Sequence, residues 1–350
     1  SSNIFDLQIN SEIFASLKVK MNIRALYVAY VRLFKARQFR GALDINSVET
    51  IFEVDKEKKI SGIGRKKIGI TQKIVEECML AANSSIGKLL KDRKLPALYR
   101  VHEKLEQDRL NSTRFNLKRF GLVLPGGDSP SAKDFQSVLS GSLKRSDYFL
   151  IQSLIMRSMN QARYSQNSDI GHFGLGYSVY LHFTSPIRRY PDLLVHRLVK
   201  SNFKCKKGIF SKSKEVESDN IRDNLIILAE HCSSTEKRAD EASRDLIHYE
   251  KCRFMLSKYG MVFEAQIIRL VSFGLFIELT DMPVEGLVHV LNLPDDYWIL
   301  DERLNKMIGR RSGFSFSCGD KVLVELLKSD PLTRKIDFRI VNKFDKKNYG

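Results

Sequence analysis

The chain has 350 residues and carries 58 Lys and Arg against 41 Asp and Glu, which gives a formal net charge of +17. At roughly 150 residues per domain the length predicts about two domains, and a hydrophobic content of 43% excludes a mainly disordered chain. No run of about 18 uncharged apolar residues occurs, so a transmembrane helix is excluded. The five cysteines are widely spaced without a CxxC pair, which predicts neither a zinc knuckle nor a disulfide framework. We read no export signal and expect a reducing, cytoplasmic location.

The positive charge favours a polyanionic partner. Each phosphate that Lys or Arg neutralises releases condensed counterions, so nucleic acid is the first expectation for a basic chain. An anionic membrane surface and a generally basic proteome remain alternatives at this point.

The first 120 residues mix helices with short strands. Residues 22–40 read as a basic helix ended by Gly41, and residues 51–70 alternate apolar and charged side chains as short strands do. Thr71 is the predicted N-cap of a further helix. The helical spacing predicts that this helix buries one apolar face, formed by Val75, Met79, Ala82, Ile86 and Leu90.

Proline and glycine residues, which interrupt helices and strands, divide the next part of the chain into segments. The predicted segments are a loop over 122–130, a helix over 147–164, a glycine-rich turn at 172–176, a helix from Pro191 to about Lys200, a lysine-rich surface loop over 202–214 and a long helical pattern over 220–259.

Beyond Gly260 the pattern changes to strand-like alternation. Five β segments are predicted at 262–268, 273–279, 286–290, 321–327 and 335–340. Five short strands in this length predict a small closed barrel. We therefore divide the chain into residues 1–259, a barrel over 260–343 and a basic tail over 344–350.

The sharpest local pattern is residues 185–192, SPIRRYPD. Arg188 and Arg189 precede a helix that Pro191 can begin, and the free N–H groups at a helix N-terminus favour an anion. Guanidinium groups match phosphate oxygens with two parallel hydrogen bonds, so a phosphate clamp is expected. An ordinary turn with solvated arginines remains the alternative.

Several longer motifs occur together with this one. They are VEECMLAAN at 75–83, PALYRVHE at 96–103, LPGG at 124–127, HFGLG at 172–176, HFTSPIRRYPDL at 182–193 and KRADEASRD at 237–245. In this order they closely resemble the catalytic-domain signature of the ribonuclease II/ribonuclease R family, and they are closest to its ribonuclease R branch. The resemblance covers nearly the whole chain from about Arg37 onward.

The resemblance implies an activity and roles for the two arginines. Members of the family are processive 3′→5′ hydrolytic exoribonucleases that depend on magnesium and release nucleoside 5′-monophosphates. By resemblance, Arg188 would hold the scissile phosphate and stabilise its developing charge as a catalytic residue, and Arg189 would hold a neighbouring phosphate. These roles suit phosphoryl transfer, which relies on positioning and on cations aimed at the phosphoryl oxygens.

Two positions carry carboxylates that resemble family acids near the 3′-terminal nucleotides of RNA. One is Glu76 or Glu77 and the other is Glu241, and such groups can accept hydrogen bonds from ribose hydroxyls. Because Glu76 and Asn83 share a helix face, a merely hydrated edge is the alternative. We expect His102, His172 and His182 to be hydrogen-bonded structural residues, because their spacing fits no zinc pattern, and we expect Cys78 to lie in the core.

The predicted barrel resembles the S1-type OB-fold RNA-binding domain. The motifs that carry this resemblance are FGLFI at 273–277, EGLVHV at 285–290, GDKV at 319–322 and RKIDF at 334–338. A bulge at Gly274 would turn both Phe273 and Phe276 outward, where rings stack on bases; burial of one ring in the core is the alternative. The family pattern adds His289, Asp330 and Arg334 to that RNA-binding surface.

The carboxylate cluster that holds two metal ions in this family has no equivalent in the sequence. The sole adjacent aspartate pair, Asp295 and Asp296, falls in a loop and is predicted to form a turn. The family's cold-shock domains and catalytic tyrosine also precede the matched region. Many relatives have a base-stacking phenylalanine where this chain has Ile45, so that base contact is in doubt here.

The sequence is therefore interpreted as the C-terminal part of a ribonuclease R-like enzyme, with an incomplete α/β (α+β) catalytic domain followed by an S1-type barrel. We expect this chain to bind single-stranded RNA without cleaving it, because the Mg²⁺ ligands of the full-length family enzyme are not in it. The expected partners are RNA and the N-terminal half of the enzyme, with no membrane, and we expect a monomer. The rival hypothesis is a non-catalytic RNA-binding or scaffold protein derived from the enzyme.

Overall fold

The computed structural model describes residues 17–45, 48–145, 147–204, 215–301 and 306–343. Its N-terminal region is mainly helical, with two small antiparallel sheets, β1 with β2 and β3 with β4. In chain order the elements are α1 (Leu17–Arg40), β1 (Val48–Val54), β2 (Ile60–Lys67), α2 (Ile70–Asp92), β3 (Tyr99–Val101), α3 (Gln107–Arg119), α4 (Ala132–Ser142), α5 (Tyr148–Ser158), β4 (Arg163–Ser165), α6 (Tyr190–Lys204) and α7 (Glu215–Met255).

The C-terminal region is a closed five-stranded barrel with a small sheet beside it. The barrel strands are β5 (Val262–Val271), β6 (Gly274–Leu279), β7 (Glu285–His289), β11 (Lys321–Asp330) and β12 (Lys335–Lys343), in the order β11-β12-β7-β6-β5. The small sheet contains β8 (Trp298–Asp301), β9 (Lys306–Gly309) and β10 (Ser315–Ser317). The prediction of a mixed helical region followed by a closed barrel is confirmed, whereas the small sheet was not predicted.

Helix α7 joins the two regions through their cores. Leu225, Ala229 and Cys232, on its N-terminal half, pack with Leu98 and Tyr164 of the helical region. Near its other end, Cys252 and Met255 are buried in the same cluster as the barrel interior. The barrel core therefore includes side chains that precede the predicted boundary at 259/260, and that boundary remains a prediction.

The predicted buried face of α2 is only partly correct, since Leu90 is buried and Ile86 packs against the core but Val75 is not buried. Val75 is 57% exposed, whereas the buried residues of the helix are Ile74, Glu77, Leu80, Asn83, Ser84, Gly87 and Leu90. The helix begins after Gly69, whose N–H donates to the Gln72 side chain, so Thr71 is not the N-cap. The face is rotated because two polar residues, Glu77 and Asn83, have buried hydrogen-bond partners that an apolar pattern does not reveal.

Other predicted boundaries shift by a few residues. Helix α5 ends at Ser158 instead of residue 164, because Arg163–Ser165 pairs with β3. Residues 202–204 belong to α6, and the rest of the predicted lysine-rich loop lies outside the described residues, as does the predicted tail over 344–350. No helix in the described part of the chain is both long and apolar enough to cross a membrane.

Candidate nucleic-acid interface

The arginine turn before α6 is organised by one buried carboxylate. Asp192 is fully buried, and its Oδ1 accepts hydrogen bonds from the Ser185 N–H and from Arg189 Nη2, both at 2.8 Å. The Arg188 side chain is exposed and makes no hydrogen bond or ion pair within the described residues. The turn therefore presents one guanidinium that is held in place and one that is free to meet an anion.

Arg189 reaches a groove of about 490 Å³ along α2. Glu76, Asn83 and Tyr180 line the same groove, and Asn83 Nδ2 donates to the Tyr180 hydroxyl at 3.0 Å. The Nε of Arg189 is buried and has no partner among the described residues. A cation, an amide and a hydroxyl thus converge on one groove, a set of groups that suits a nucleotide.

The two predicted glutamates of α2 have different environments. Arg37 Nη1 donates to Oε1 of Glu76 at 3.0 Å and to Oε1 of Glu77 at 2.9 Å. The Glu77 side chain is buried, whereas that of Glu76 is 44% exposed. Glu77 is consequently tied to α1, and Glu76 is the carboxylate of the pair that faces the groove.

Three histidines form hydrogen bonds inside the helical region, as predicted. His182 Nδ1 is 2.8 Å from the Tyr164 hydroxyl, and Nδ1 atoms of His172 and His102 accept from the Leu175 and Gly174 N–H groups. Burial lowers the pKa of His172 to about 3 and, with a further contribution from Arg189, lowers the pKa of His182 to about 2. The rings are therefore neutral structural groups beside the arginine turn.

On the barrel, both phenylalanine rings lie on the outside. Phe273 is 48% exposed, Phe276 is half-buried, and the ring centroids are 6.3 Å apart in an edge-to-face arrangement. The predicted bulge at Gly274 is misplaced, since the register shift lies in β5 between Ile267 and Arg269. Gly274 instead opens β6 with φ +155, where an added Cβ would lie 2.3 Å from the Val288 carbonyl oxygen. Close strand approach, not a bulge, requires the glycine.

The three other predicted barrel residues have local partners. Asp330 Oδ1 accepts hydrogen bonds from the N–H groups of Leu332 and Thr333, which shapes the β11–β12 turn. The Thr333 hydroxyl contributes most to lowering the pKa of Asp330, and these N–H groups lower it further. His289 Nδ1 accepts from the Leu291 N–H at 3.3 Å. Arg334 forms an ion pair with Asp245 of α7.

The remaining predicted positions lie away from these contacts. Glu241 is exposed on α7, and its ion pair in the described structure is with Lys237 at 3.9 Å. Ile45 packs against the core formed by α3, α4 and α5. Cys78 is half-buried, not fully in the core as predicted.

No group of three or more His, Cys, Asp or Glu side chains is placed to hold a metal ion in the described ranges. Asp296 accepts hydrogen bonds from the N–H groups of Tyr297, Arg311 and Ser312, which confirms its role in a turn. The residues that the structure describes therefore do not fit a magnesium centre.

The site includes residues that the sequence did not single out. Arg37, Asp192 and Tyr180 fix the groups that line the groove. Asp192 stands three residues after Arg189, a spacing at which helical side chains meet, so its role was readable from the motif. The roles of Arg37 and Tyr180 depend on contacts between elements far apart in sequence.

Comparison with known families decides the relationship. The family model described as "RNB domain" matches residues 6–204, and the "S1 RNA binding domain" model matches residues 257–340. The chain belongs to the RNB family. Its barrel is the S1 domain that the sequence motifs resembled.

Three known proteins illustrate the relationship. Ribonuclease R of Escherichia coli is 37% identical over 322 residues, which cover 92% of this chain and 40% of that protein. The RNase R of Mycoplasma genitalium, solved with ribose-methylated single-stranded RNA, has a TM-score of 0.86 at 24% identity and covers 96% of this chain and 52% of that one. Yeast Ssd1, a pseudonuclease, has a TM-score of 0.61 at 14% identity and covers 78% of this chain and 44% of that one.

The RNB-family chain spans about 40% of the length of the curated relative from E. coli. Because a nuclease and a pseudonuclease both share the fold, the fold by itself does not establish hydrolysis.

Proposed function

We propose that the chain is the RNA-binding part of a ribonuclease R-like 3′→5′ exoribonuclease that releases nucleoside 5′-monophosphates. The observation that carries this proposal is the arginine turn, in which buried Asp192 fixes Arg189 while Arg188 stays exposed. A preorganised cation needs no reorganisation when negative charge develops nearby, which is what phosphoryl transfer requires.

Arg188 and Arg189 would act on consecutive phosphates. Arg189 is aimed into the groove along α2 and would position the penultimate phosphate beside Asn83 and Tyr180. Arg188, without a competing carboxylate in the described residues, would bind the scissile phosphate with its planar fork of donors. Glu76 at the groove edge and Glu241 on α7 would accept from ribose hydroxyls, and Glu77 would position Glu76 through their shared Arg37.

The barrel would hold RNA farther from the cleaved end. Phe273 presents an exposed ring beside the half-buried ring of Phe276, and each base stacked on such a ring contributes about 1–3 kcal/mol. Asp330 and His289 would shape the adjoining turns, while Arg334 would exchange Asp245 for a phosphate.

We further propose that this 350-residue chain by itself binds RNA without hydrolysing it. In the complete family enzymes Mg²⁺ supplies charge stabilisation at the reacting phosphate. The sequence lacks the aspartate cluster, and the described residues group no such ligands.

The proposal is tested with the purified chain and a 5′-labelled 20-nucleotide oligo(U). We expect binding that weakens as salt rises, with no shortening of the labelled RNA in the presence of Mg²⁺. Arg188→Ala should weaken binding, whereas Lys88→Ala, which removes an exposed charge from α2, should change it little. If the unmodified chain fails to bind RNA, the binding claim is contradicted. Robust Mg²⁺-dependent shortening of the RNA would contradict the claim that the chain does not hydrolyse it.

The second candidate is a non-catalytic RNA-binding protein of the same fold. Two observations support this candidate. The described residues group no carboxylates that could hold a metal ion, and yeast Ssd1, a pseudonuclease, has the same fold. Reading the DNA immediately upstream separates the two candidates, because an in-frame aspartate cluster indicates an enzyme and an in-frame stop followed by a start codon indicates the alternative.

A further inference from the structure

A cleft of about 970 Å³ lies between the helical region and the barrel. One wall is formed by α3 and α5, and the other by the outer faces of β5 and β6. Its lining residues do not overlap with those of the groove at Arg189. The volume is at the upper end of the roughly 300–1,000 Å³ that small-molecule pockets occupy.

The helical wall carries two stripes of polar and aromatic side chains. On α3, Arg109, Ser112, Asn116 and Arg119 follow one another at intervals of three or four residues. On α5, Phe149, Ser153 and Arg157 are four residues apart. Residues at these intervals share one helix face, so both stripes point into the cleft.

The barrel wall connects the cleft to the proposed RNA-binding face. Arg269 lines the cleft, and its guanidinium carbon is 4.0 Å from the centroid of the Phe276 ring. Arg269 therefore belongs both to the cleft and to the proposed RNA-binding face of the barrel.

The charges in the cleft favour an anion. The acidic lining residues are Asp108, Glu278 and Glu285, and Glu278 is already paired with Arg65 at 2.7 Å. The basic residues besides Arg65 are Arg109, Arg119, Arg157, Arg269 and Lys321. Five cations therefore face two acids that are not paired with Arg65.

Three side chains in the cleft have properties of a ligand contact. The Nε of Arg119 is buried and has no partner in the described chain, and Arg157 is exposed without a side-chain partner there. Phe149 is 60% exposed and lies outside the buried face of α5, which consists of Tyr148, Ile151 and Ile155. An exposed ring between arginines on two walls is the composition of grooves that bind single-stranded nucleic acid.

We propose that this cleft binds a run of single-stranded RNA, with phosphates at Arg109, Arg157 and Arg269 and a base on Phe149. This inference rests on the proposed function, because it extends the RNA path from the barrel face onto α3 and α5. A single small anion would use one arginine, whereas the cleft places arginines on α3, on α5 and on the barrel wall.

The test uses fluorescence anisotropy with a labelled 20-nucleotide oligo(U) at several salt concentrations. Arg157→Glu is compared with Lys118→Glu, which makes the same charge change on α3 outside the cleft lining. We expect Arg157→Glu to weaken binding at least 5-fold more than Lys118→Glu and to reduce the salt slope by about 0.7, the loss of one phosphate contact. Phe149→Ala should weaken binding about 5-fold or more. Unchanged thermal unfolding establishes that the variants fold.

The outcomes separate this inference from the proposed function. If Arg157→Glu and Phe149→Ala bind like the Lys118→Glu control while Phe273→Ala binds weakly, the cleft proposal is overturned and the proposed function stands. If the unmodified chain fails to bind oligo(U), both are overturned. With 4-thiouridine RNA, crosslinks to the peptide that contains Phe149 and Arg157 are expected, and crosslinks confined to the barrel would count against the cleft.

Discussion

Arg37 neutralises a carboxylate that the fold has removed from water. Glu77 is 3% exposed, and its ion pair with Arg37 spans 2.9 Å between α1 and α2. Breaking a buried pair by removing one partner leaves an uncompensated charge, which costs about 3–5 kcal/mol, whereas replacing both partners by apolar residues is much less costly.

We therefore expect Arg37→Met to lower the free energy of unfolding by about 3–5 kcal/mol, as measured by urea denaturation. The double variant Arg37→Met/Glu77→Met should recover most of that loss. As a control, Arg163→Met removes one partner of an exposed pair with Glu103 and should cost less than about 1 kcal/mol. Equal losses of unfolding free energy in Arg37→Met and Arg163→Met would contradict the assignment of Arg37 and Glu77 as a buried ion pair.

The histidines packed inside the helical region make stability depend on pH. An unfolded histidine titrates near pH 6.5, whereas burial holds the pKa of His182 at about 2 in the folded chain. As the pH falls below 6.5, the unfolded state gains a proton that the folded state does not, so the free energy of unfolding decreases. For one such histidine the loss between pH 7.5 and pH 5 is about 2 kcal/mol.

The measurement is guanidinium unfolding at these two pH values. In His182→Gln the decrease in stability between pH 7.5 and pH 5 should be smaller than in the unmodified chain by about 2 kcal/mol. His248→Gln, at an exposed position of α7, should leave the decrease unchanged. An identical pH dependence in all three proteins would show that His182 is not a neutral buried group.

At the scale of elements, close packing of β6 against β7 depends on Gly274. Because a Cβ there would lie 2.3 Å from the Val288 carbonyl oxygen, Gly274→Ala should lower the free energy of unfolding by about 1–3 kcal/mol. Gly141→Ala is the matched control, since it lies in α4 with open space around it, and it should be neutral or stabilising by up to about 1 kcal/mol. Thermal unfolding of both variants is the measurement. If Gly274→Ala leaves the stability unchanged, the close approach of β6 to β7 at Val288 is refuted.

The sequence predicted elements well where local rules decide them. Gly41 ends α1, Tyr190 and Pro191 begin α6, and the barrel strands follow alternating patterns. The full buried face of α2 could not be predicted, because Glu77 and Asn83 are buried by partners on α1 and next to β3. The sheet of β8–β10 escaped notice because its strands are three or four residues long.

The same contrast applies to the candidate site. The motif at 185–192 places both arginines locally, and the structure adds that Asp192 holds Arg189. The cleft between α5 and the barrel has no local signal, because its two walls come from segments more than 100 residues apart in sequence. The roles of the individual site residues stay predictions until binding is measured.

At the scale of the whole molecule, Met255 links helix and barrel stability. Its side chain is fully buried in the barrel core although the residue belongs to α7. We expect Met255→Ala to lower the free energy of unfolding by about 2–5 kcal/mol, and Leu256→Ala, at an exposed neighbouring position, to have little effect.

The single tryptophan allows the coupling itself to be measured. Trp298 is buried in the barrel region, so its fluorescence reports on that region, while circular dichroism at 222 nm reports mainly on the helices. The two signals should change in one transition and shift together in Met255→Ala. Well-separated transitions in the unmodified chain would mean that the regions unfold independently.

Continuity of α7 also fixes the distance between the two places where the helix is packed. The helix packs into the helical region around Cys232 and into the barrel around Cys252, and 20 residues of helix at 1.5 Å per residue span about 30 Å. No break interrupts this rod, so the two anchored ends cannot fold toward one another. The two cores that pack against this helix are therefore held at a fixed separation, and RNA binding should not bring them closer together.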